Sequence, residues 1–175
     1  DRVVEAPEDF SNNGYTFNKY NYQISIEKTV FPYKQNEKSY LIYSDNKGIT
    51  WDKVEIDENA TIENIHFINS QIGFMLQFEN MAMTVAFGHI STTVDGGKTW
   101  QIINKGIGEE KIFRKESQIR FFSENLGFVT MTYSGEKCDL YITIDGGQNF
   151  KKIELSPSNW NDEMQWKEIY DYYNL

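Results

Sequence analysis

Apolar residues recur at every second position in two stretches of the chain, 74–78 and 128–133, each directly after a glycine. A period of two is typical of β-strands, whose successive side chains point to opposite faces of a sheet. Two further runs, 84–90 and 140–144, lead into turns rich in Asp and Gly, which favour hairpins because glycine accepts positive φ. The pattern predicts an all-β chain.

One eight-residue motif occurs three times. The copies are residues 44–51 (SDNKGITW), 93–100 (TVDGGKTW) and 143–150 (TIDGGQNF), and their aromatic ends Trp51, Trp100 and Phe150 lie 49 and 50 residues apart. A period near 50 residues suits four short strands with their turns, the size of one blade of a β-propeller.

A second marker supports the same period. Polar turns that end in glycine and an aromatic residue occupy 10–15, 67–74 and 122–128, and each precedes one copy of the motif. The chain therefore divides into three units of about 50 residues, 8–56, 62–104 and 117–154, which form one domain over 8–154. Each unit is predicted to contain three strands, a tight turn and a fourth strand.

The motif has a local physical logic. Its Asp or Asn is expected to accept hydrogen bonds from backbone N–H groups across the turn, its glycine to relieve the tightest backbone position, and its aromatic residue to cover the hairpin. We therefore predict a structural role for Ser44, Asn46, Gly48, Thr50, Trp51, Thr93, Asp95, Gly97, Thr99, Trp100, Thr143, Asp145, Gly147 and Phe150.

The pattern S/T-x-D-x-G-x-T-W resembles the Asp box, or BNR repeat, of sialidases, sortilin-type receptors and photosystem assembly factors. The middle copy matches at every specified position, whereas the first has Asn46 for Asp and the third has Asn149 and Phe150 for Thr and Trp. The resemblance implies β-propeller blades, with the box at the blade periphery and away from the ligand-binding face. It implies little about activity, because one fold hosts many functions.

Three units fall short of the 4 to 8 blades that close a propeller. The chain is thus expected to be a fragment of a longer protein, a self-associating part of a ring, or a small propeller with an irregular fourth blade. The segment 155–175 carries five Trp and Tyr residues. It is predicted to start a further blade or close the ring, with an amphipathic terminal helix as the alternative.

Composition excludes several classes of partner and site. A net charge of −9 and a pI near 4.7 argue against nucleic acid and anionic membranes, which select clustered Lys and Arg. A single cysteine, Cys138, allows no intrachain disulfide, and no apolar run is long enough to span a membrane. The chain begins with Asp1 rather than Met, from which we expect an exported or cell-surface protein.

No catalytic constellation is apparent in the sequence. In sialidases an arginine triad from separate blades holds the substrate carboxylate, but here Arg114 and Arg120 share one unit and Arg2 lies near the terminus. An ordinary glycosidase needs two facing carboxylates, which the sequence does not single out. His66 and His89 lie without a carboxylate cluster around them, so no metal or cofactor is predicted.

We therefore expect a non-enzymatic recognition or scaffold domain that binds a protein or a glycan through its loops. The candidate ligand-binding residues are aromatic and comprise Tyr22, Tyr33, Tyr40, Trp160 and Trp166. Two alternatives remain open, a sialidase-like glycoside hydrolase and a structural set of blades within a larger surface protein.

Overall fold

The computed structural model describes residues 23–24, 28–35, 38–56, 60–82, 85–106, 112–113, 117–132 and 138–153. These residues form thirteen β-strands in three antiparallel sheets, and no helix occurs among them. The all-β prediction is confirmed. The segment 155–175, Tyr22, Trp160 and Trp166 lie outside the described residues.

Each sheet is a meander, in which consecutive strands are neighbours. The first sheet contains β1 (Gln23–Ile24), β2 (Thr29–Gln35), β3 (Lys38–Ser44) and β4 (Asp52–Glu55). The second contains β5 (Ala60–Phe67), β6 (Gly73–Ala82), β7 (Val85–Thr93) and β8 (Gln101–Asn104), and β9 (Ile112–Phe113) also pairs with β7. The third contains β10 (Gln118–Phe121), β11 (Gly127–Thr132), β12 (Cys138–Thr143) and β13 (Lys151–Ile153).

The alternation that predicted β6 places its side chains on two buried faces. Phe74, Leu76 and Phe78 pack toward the third sheet, whereas Met75 packs toward the first. The second sheet is therefore the middle layer of the molecule. The predicted strand 140–144 is one residue too long, because β12 ends at Thr143 and Ile144 lies in the turn, 63% exposed.

Two hydrophobic clusters join the sheets, and we call them the first and the second joint. The first joint lies between the first and second sheets and consists of Val30, Leu41, Tyr43, Ile56, Ile62, Ile65, Phe67 and Met75. The second joint lies between the second and third sheets and consists of Phe74, Leu76, Phe78, Ile90, Ile119, Phe121, Val129 and Tyr141. Their burial supplies the main stabilising free energy of the assembly.

The strand registers give an exact correspondence between the units. In each sheet, the last pair of the second and third strands contains the first residue of the motif. These pairs are Thr29–Ser44, Gly73–Thr93 and Gly127–Thr143. Counting along the strands from these pairs identifies equivalent positions in the three sheets. We call residues 44–51, 93–100 and 143–150 the motif turns.

The glycines of the second marker have a steric explanation. A Cβ on Gly73 would lie 2.7 Å from the ring of Phe67, and a Cβ on Gly127 would lie 2.6 Å from the ring of Phe121. Each phenylalanine is the last residue of the first strand of its sheet, β5 or β10, and packs on the glycine paired with it. The marker at 67–74 begins at Phe67, whereas the equivalent residue of the third sheet is Phe121, one residue before the marker at 122–128.

The first unit does not share this device. Residues 25–28 between its first strand β1 and β2 contain no glycine, and the marker at 10–15 lies outside the described residues. The Phe–Gly packing is therefore a feature of the second and third sheets.

Candidate functional site

The three motif turns are built on one network of hydrogen bonds that begins with a hydroxyl. The Oγ of Ser44 accepts the N–H of Gly48 at 2.7 Å, and the hydroxyls of Thr93 and Thr143 accept the N–H of Gly97 and Gly147 at 2.9 Å. Each hydroxyl also donates to the motif Asn or Asp, at distances of 3.0, 2.8 and 2.8 Å. This bridging role of the first motif residue was not predicted from the sequence.

The central side chain ties together the second half of each turn. Asp95 Oδ1 accepts the N–H groups of Lys98 and Thr99, both at 3.0 Å, and Oδ2 accepts the Thr99 hydroxyl at 2.6 Å. Asn46 accepts the N–H of Thr50 at 2.9 Å, and Asp145 accepts that of Asn149 at 2.9 Å. Each of these bonds lies within a single motif turn.

These bonds favour the ionised carboxylates. The hydroxyl and N–H of Thr99, helped by Thr93 and Lys98, hold the pKa of Asp95 far below its usual value. Burial acts to raise the pKa of Asp145, but the donors on Asn149 and Thr143 outweigh it and the pKa is lowered. Both side chains are therefore anionic at neutral pH.

The glycines adopt the left-handed backbone that the turns require. Gly48, Gly97 and Gly147 have φ of 79°, 93° and 90°. An L side chain at these positions would be strained.

The closing aromatic residues are not equivalent. Trp100 donates its Nε1–H to the carbonyl of Gly97 at 3.0 Å, which fixes the indole over its own turn. Phe150 also packs near its motif glycine, Gly147. Trp51 lies 5.8 Å from the ring of Phe31, and no described residue accepts a hydrogen bond from its buried Nε1.

Two of the candidate ligand-binding residues lie opposite one another in the first sheet. Tyr33 on β2 pairs in register with Tyr40 on β3. Tyr40 is half-buried, with the ammonium of Lys53 4.1 Å from its ring centroid. The structure thus places Tyr33 and Tyr40 together, at the end of the sheet away from the motif turn.

Sequence reasoning missed a buried lysine in the first joint. The Lys28 side chain is 1% exposed and its Nζ lies 2.6 Å from Asp45 Oδ1. The ammonium also lies 4.3 Å from the ring centroid of Tyr43 and 4.9 Å from that of Phe67. Lys28 occupies the position that Ile72 and Leu126 occupy in the second and third units. A charged residue at a repeat position that is otherwise apolar was therefore the sequence feature that could have revealed it.

Two polar side chains of the second joint were also missed. Asn64 Oδ1 accepts the N–H of Ile119 at 3.0 Å, and His66 Nδ1 accepts the N–H of Phe121 at 3.2 Å. These N–H groups lie on the edge of β10 that faces away from β11, and side chains of the second sheet accept their hydrogen bonds. Burial, with a contribution from Arg120, lowers the pKa of His66 to about 4 and keeps the ring neutral.

Metal ligands and arginines are groups that would support catalysis. No set of three or more His, Cys, Asp or Glu residues there has the arrangement of a metal site. Arg120 lies on β10 and is exposed, whereas Arg2 and Arg114 lie outside the described residues.

Comparison with known proteins identifies the fold. The chain superposes on the GH74 enzyme of Niastella koreensis with a TM-score of 0.54 and 16% identity, over 75% of this chain and 21% of the enzyme. The NanB sialidase of Streptococcus pneumoniae gives a TM-score of 0.43 and 17% identity, over 72% and 20% of the two chains. No protein-family description and no curated protein sequence matches the chain.

The three sheets are blade-like layers of a partial β-propeller. The chain spans about a fifth of the length of the two solved structures. At this level of identity the similarity establishes the fold. In the described part of the chain there is no helix that is long and apolar enough to cross a membrane.

Proposed function

We propose that this chain supplies three consecutive Asp-box blades of a recognition or scaffold propeller. It binds a protein or a glycan through the connections at the end opposite the motif turns, without catalysing a reaction. We further propose that the protein is exported. The observation that carries the proposal is a contrast in connection length between the two ends of the sheets.

At the motif end the connections are nearly constant. Seven residues separate the third and fourth strands of every sheet (45–51, 94–100 and 144–150), and four or five separate the first and second (25–28, 68–72 and 122–126). Constant length together with a repeated hydrogen-bond network is typical of a scaffold.

At the opposite end the connections differ. Two residues separate the described ends of β2 and β3 and of β6 and β7, whereas five (133–137) separate those of β11 and β12. Four residues lead from β4 to β5, but thirteen (105–117), including β9, lead from β8 to β10. Binding residues concentrate on variable loops carried by a rigid scaffold, so this end is the favoured recognition surface.

The aromatic candidates are consistent with this end. Tyr40 lies near the short connection 36–37, on the face of the first sheet away from the first joint, and Tyr33 pairs with it in register. An aromatic ring at a surface can stack on a sugar or anchor a protein partner. Tyr22, Trp160 and Trp166 remain candidates on sequence grounds alone.

A structural role within a longer protein is the second candidate. Gln77 and His89 are equivalent to Tyr33 and Tyr40, and both are buried on the face of the second sheet that meets the first. By this equivalence Tyr33 and Tyr40 occupy the position where a preceding blade packs. The coverage of about a fifth of the solved propellers also favours this role.

A glycan-array screen, with light scattering on the same sample, tests the proposal. We expect reproducible binding to one sugar class that is lost when 133–137 is replaced by Gly and Ser. A matched variant at the motif end, Lys98→Ser, should retain binding, because its exposed side chain lies at the other end of the sheet.

Binding that survives replacement of 133–137 but fails in Lys98→Ser would contradict the choice of end. A blank array from an aggregating sample, cured by a longer chain, would favour structural blades. Turnover of a fluorogenic sialoside or glycoside that is lost in Arg114→Ala or Arg120→Ala would favour the glycoside hydrolase.

A further inference from the structure

The second joint contains an open cleft. At the equivalent place in the first joint, the side chain of Lys28 fills the space. The cleft has a volume of about 460 Å³ and opens between the motif turns of the second and third sheets. Its lining includes Ile72, Val94, Glu124, Asp145 and Gly146. A volume of this size falls in the range of small-ligand sites.

Position by position, the cleft corresponds to the Lys28 site. Lys28 is replaced by Ile72, and Tyr43, whose ring lies 4.3 Å from the Lys28 ammonium, is replaced by Thr92. Both replacements are smaller. Gly96, whose Cβ would lie 3.4 Å from Lys28 Nζ, corresponds to Gly146, where a Cβ would meet only the Glu124 carbonyl within 4 Å. The space that the lysine takes up in the first joint is therefore open in the second.

The charge of the two sites also differs. In the first joint the Lys28 ammonium is paired with Asp45, whose equivalent in the cleft is the apolar Val94. The cleft adds a carboxylate instead, because Glu124 replaces Ser70, and it loses a cation, because Gln148 replaces Lys98. Among the described residues, its lining contains Glu124 and Asp145 but no Lys or Arg.

Asp145 brings a fixed negative charge to the cleft. Its carboxylate accepts bonds from the Thr143 hydroxyl and from the N–H and side-chain amide of Asn149. Against the opposing effect of burial, these donors, with the N–H of Gln148, lower the pKa of Asp145, so the carboxylate is ionised at neutral pH. Asp95, at the equivalent position of the second sheet, accepts bonds from Thr93, Lys98 and Thr99 in the same way.

We propose that this cleft receives a lysine side chain from a partner polypeptide. The methylene groups pack on Ile72 and Val94, and the ammonium meets the carboxylates of Asp145 and Glu124. A polypeptide is the chosen source because two apolar side chains that line the cleft are exposed, Val94 at 72% and Ile102 at 43%. A free amine would leave them uncovered, whereas a protein surface would bury them. The site lies at the motif end and does not depend on the recognition proposed for the opposite end.

Nuclear magnetic resonance titration of the whole chain tests this site. The probes are the peptide acetyl-Leu-Lys-Leu-amide, the same peptide acetylated on the lysine Nζ, and butylamine. We expect the lysine peptide to shift the amide signals of Gly146 and Gln148, the acetylated peptide to have no effect, and butylamine to bind more weakly. Higher salt should weaken the binding, because part of it is electrostatic.

Two variants locate the effect. Glu124→Gln should weaken the lysine peptide about fivefold, whereas Glu55→Gln, which removes the same charge from the exposed ion pair with Lys38, should leave binding unchanged. The double change Ile72→Lys with Val94→Asp copies the Lys28–Asp45 pair into the cleft and should abolish binding. Well-dispersed amide spectra report that each variant is folded, and Glu124→Gln alone carries the test if the double variant unfolds.

Equal shifts from the acetylated peptide, or an affinity unchanged in Glu124→Gln, would overturn the ammonium site. Butylamine binding as tightly as the peptide would overturn the assignment to a polypeptide. Neither result would bear on the glycan screen, so the two proposals fail separately.

Discussion

The two joints connect the same kind of sheet by different chemistry. In the first joint, the Lys28–Asp45 ion pair lies over the rings of Tyr43 and Phe67. In the second, the rings of Phe74 and Phe121 stack with centroids 3.5 Å apart and an interplanar angle of 3°. The second joint adds two side-chain-to-backbone bonds, from the N–H groups of the third sheet to Asn64 and His66.

This difference shows which part of a unit is constrained. The motif turns fix the backbone of each hairpin through bonds within about five residues, and the third and fourth strands of the three sheets pair in equivalent register next to the turn. The side chains that face a neighbouring sheet are then free to differ, provided that they fill the joint and satisfy its polar groups. Blade geometry is thus local, whereas blade–blade contact is specific to each pair.

The largest effect is expected at the aromatic stack. Phe121→Ala removes a side chain that is 1% exposed and should lower the free energy of unfolding by about 3–5 kcal/mol. Its neighbour Phe122 is 64% exposed and contacts Phe128 edge to face, so Phe122→Ala should cost less than about 1 kcal/mol. Urea unfolding followed by tryptophan fluorescence measures both, and equal losses would contradict the assignment of Phe121 to the joint.

An intermediate effect is expected at the ion pair of the first joint. Asp45→Val leaves the buried ammonium of Lys28 without its carboxylate and should cost about 2–3 kcal/mol, less than a fully buried pair because Asp45 is 47% exposed. Adding Lys28→Ile places in the first joint the two apolar residue types, isoleucine and valine, that the second joint has at the equivalent positions, Ile72 and Val94. The double variant should therefore be more stable than Asp45→Val alone.

A double-mutant cycle separates the coupling from the single effects. Additive losses from Lys28→Ile and Asp45→Val would mean that the two charges do not stabilise one another. The first joint would then depend on its apolar cluster, as the second does.

The sequence predicted what is local and missed what depends on distant register. Strands, hairpins, motif glycines and the acceptor role of Asp95 and Asp145 follow from residues close together in the chain. The bonds from Ile119 to Asn64 and from Phe121 to His66 span 55 residues and depend on which face each strand presents. Lys28 was missed because lysine is ordinarily exposed, and only the repeat alignment marks its position as buried.

The one-residue offset at Phe122 has the same origin. Phe121 and Phe122 are identical in chemistry and adjacent in sequence, and only the pairing of Phe121 with Gly127 distinguishes the buried ring from the exposed one. A shift of one residue exchanges the two faces of a strand. Among the ligand-binding candidates, the structure locates Tyr33 and Tyr40 alone.

The last expected effect is a pH dependence that arises in the second joint. His66 must be neutral to accept the N–H of Phe121, and burial lowers its pKa to about 4 from an ordinary value of 6.5. Between these values the unfolded chain binds the proton more readily than the folded one, so stability is complete above about pH 6.5 and declines as the pH falls toward 4.

His66→Asn retains an acceptor near the position of Nδ1 but does not titrate, so its unfolding free energy should change less between pH 7 and pH 4.5. The comparison stays above the range in which Asp95 and Asp145 take up protons, since the pKa of each is lowered. An identical decline in wild type and variant over this range would assign the pH dependence to groups outside the second joint.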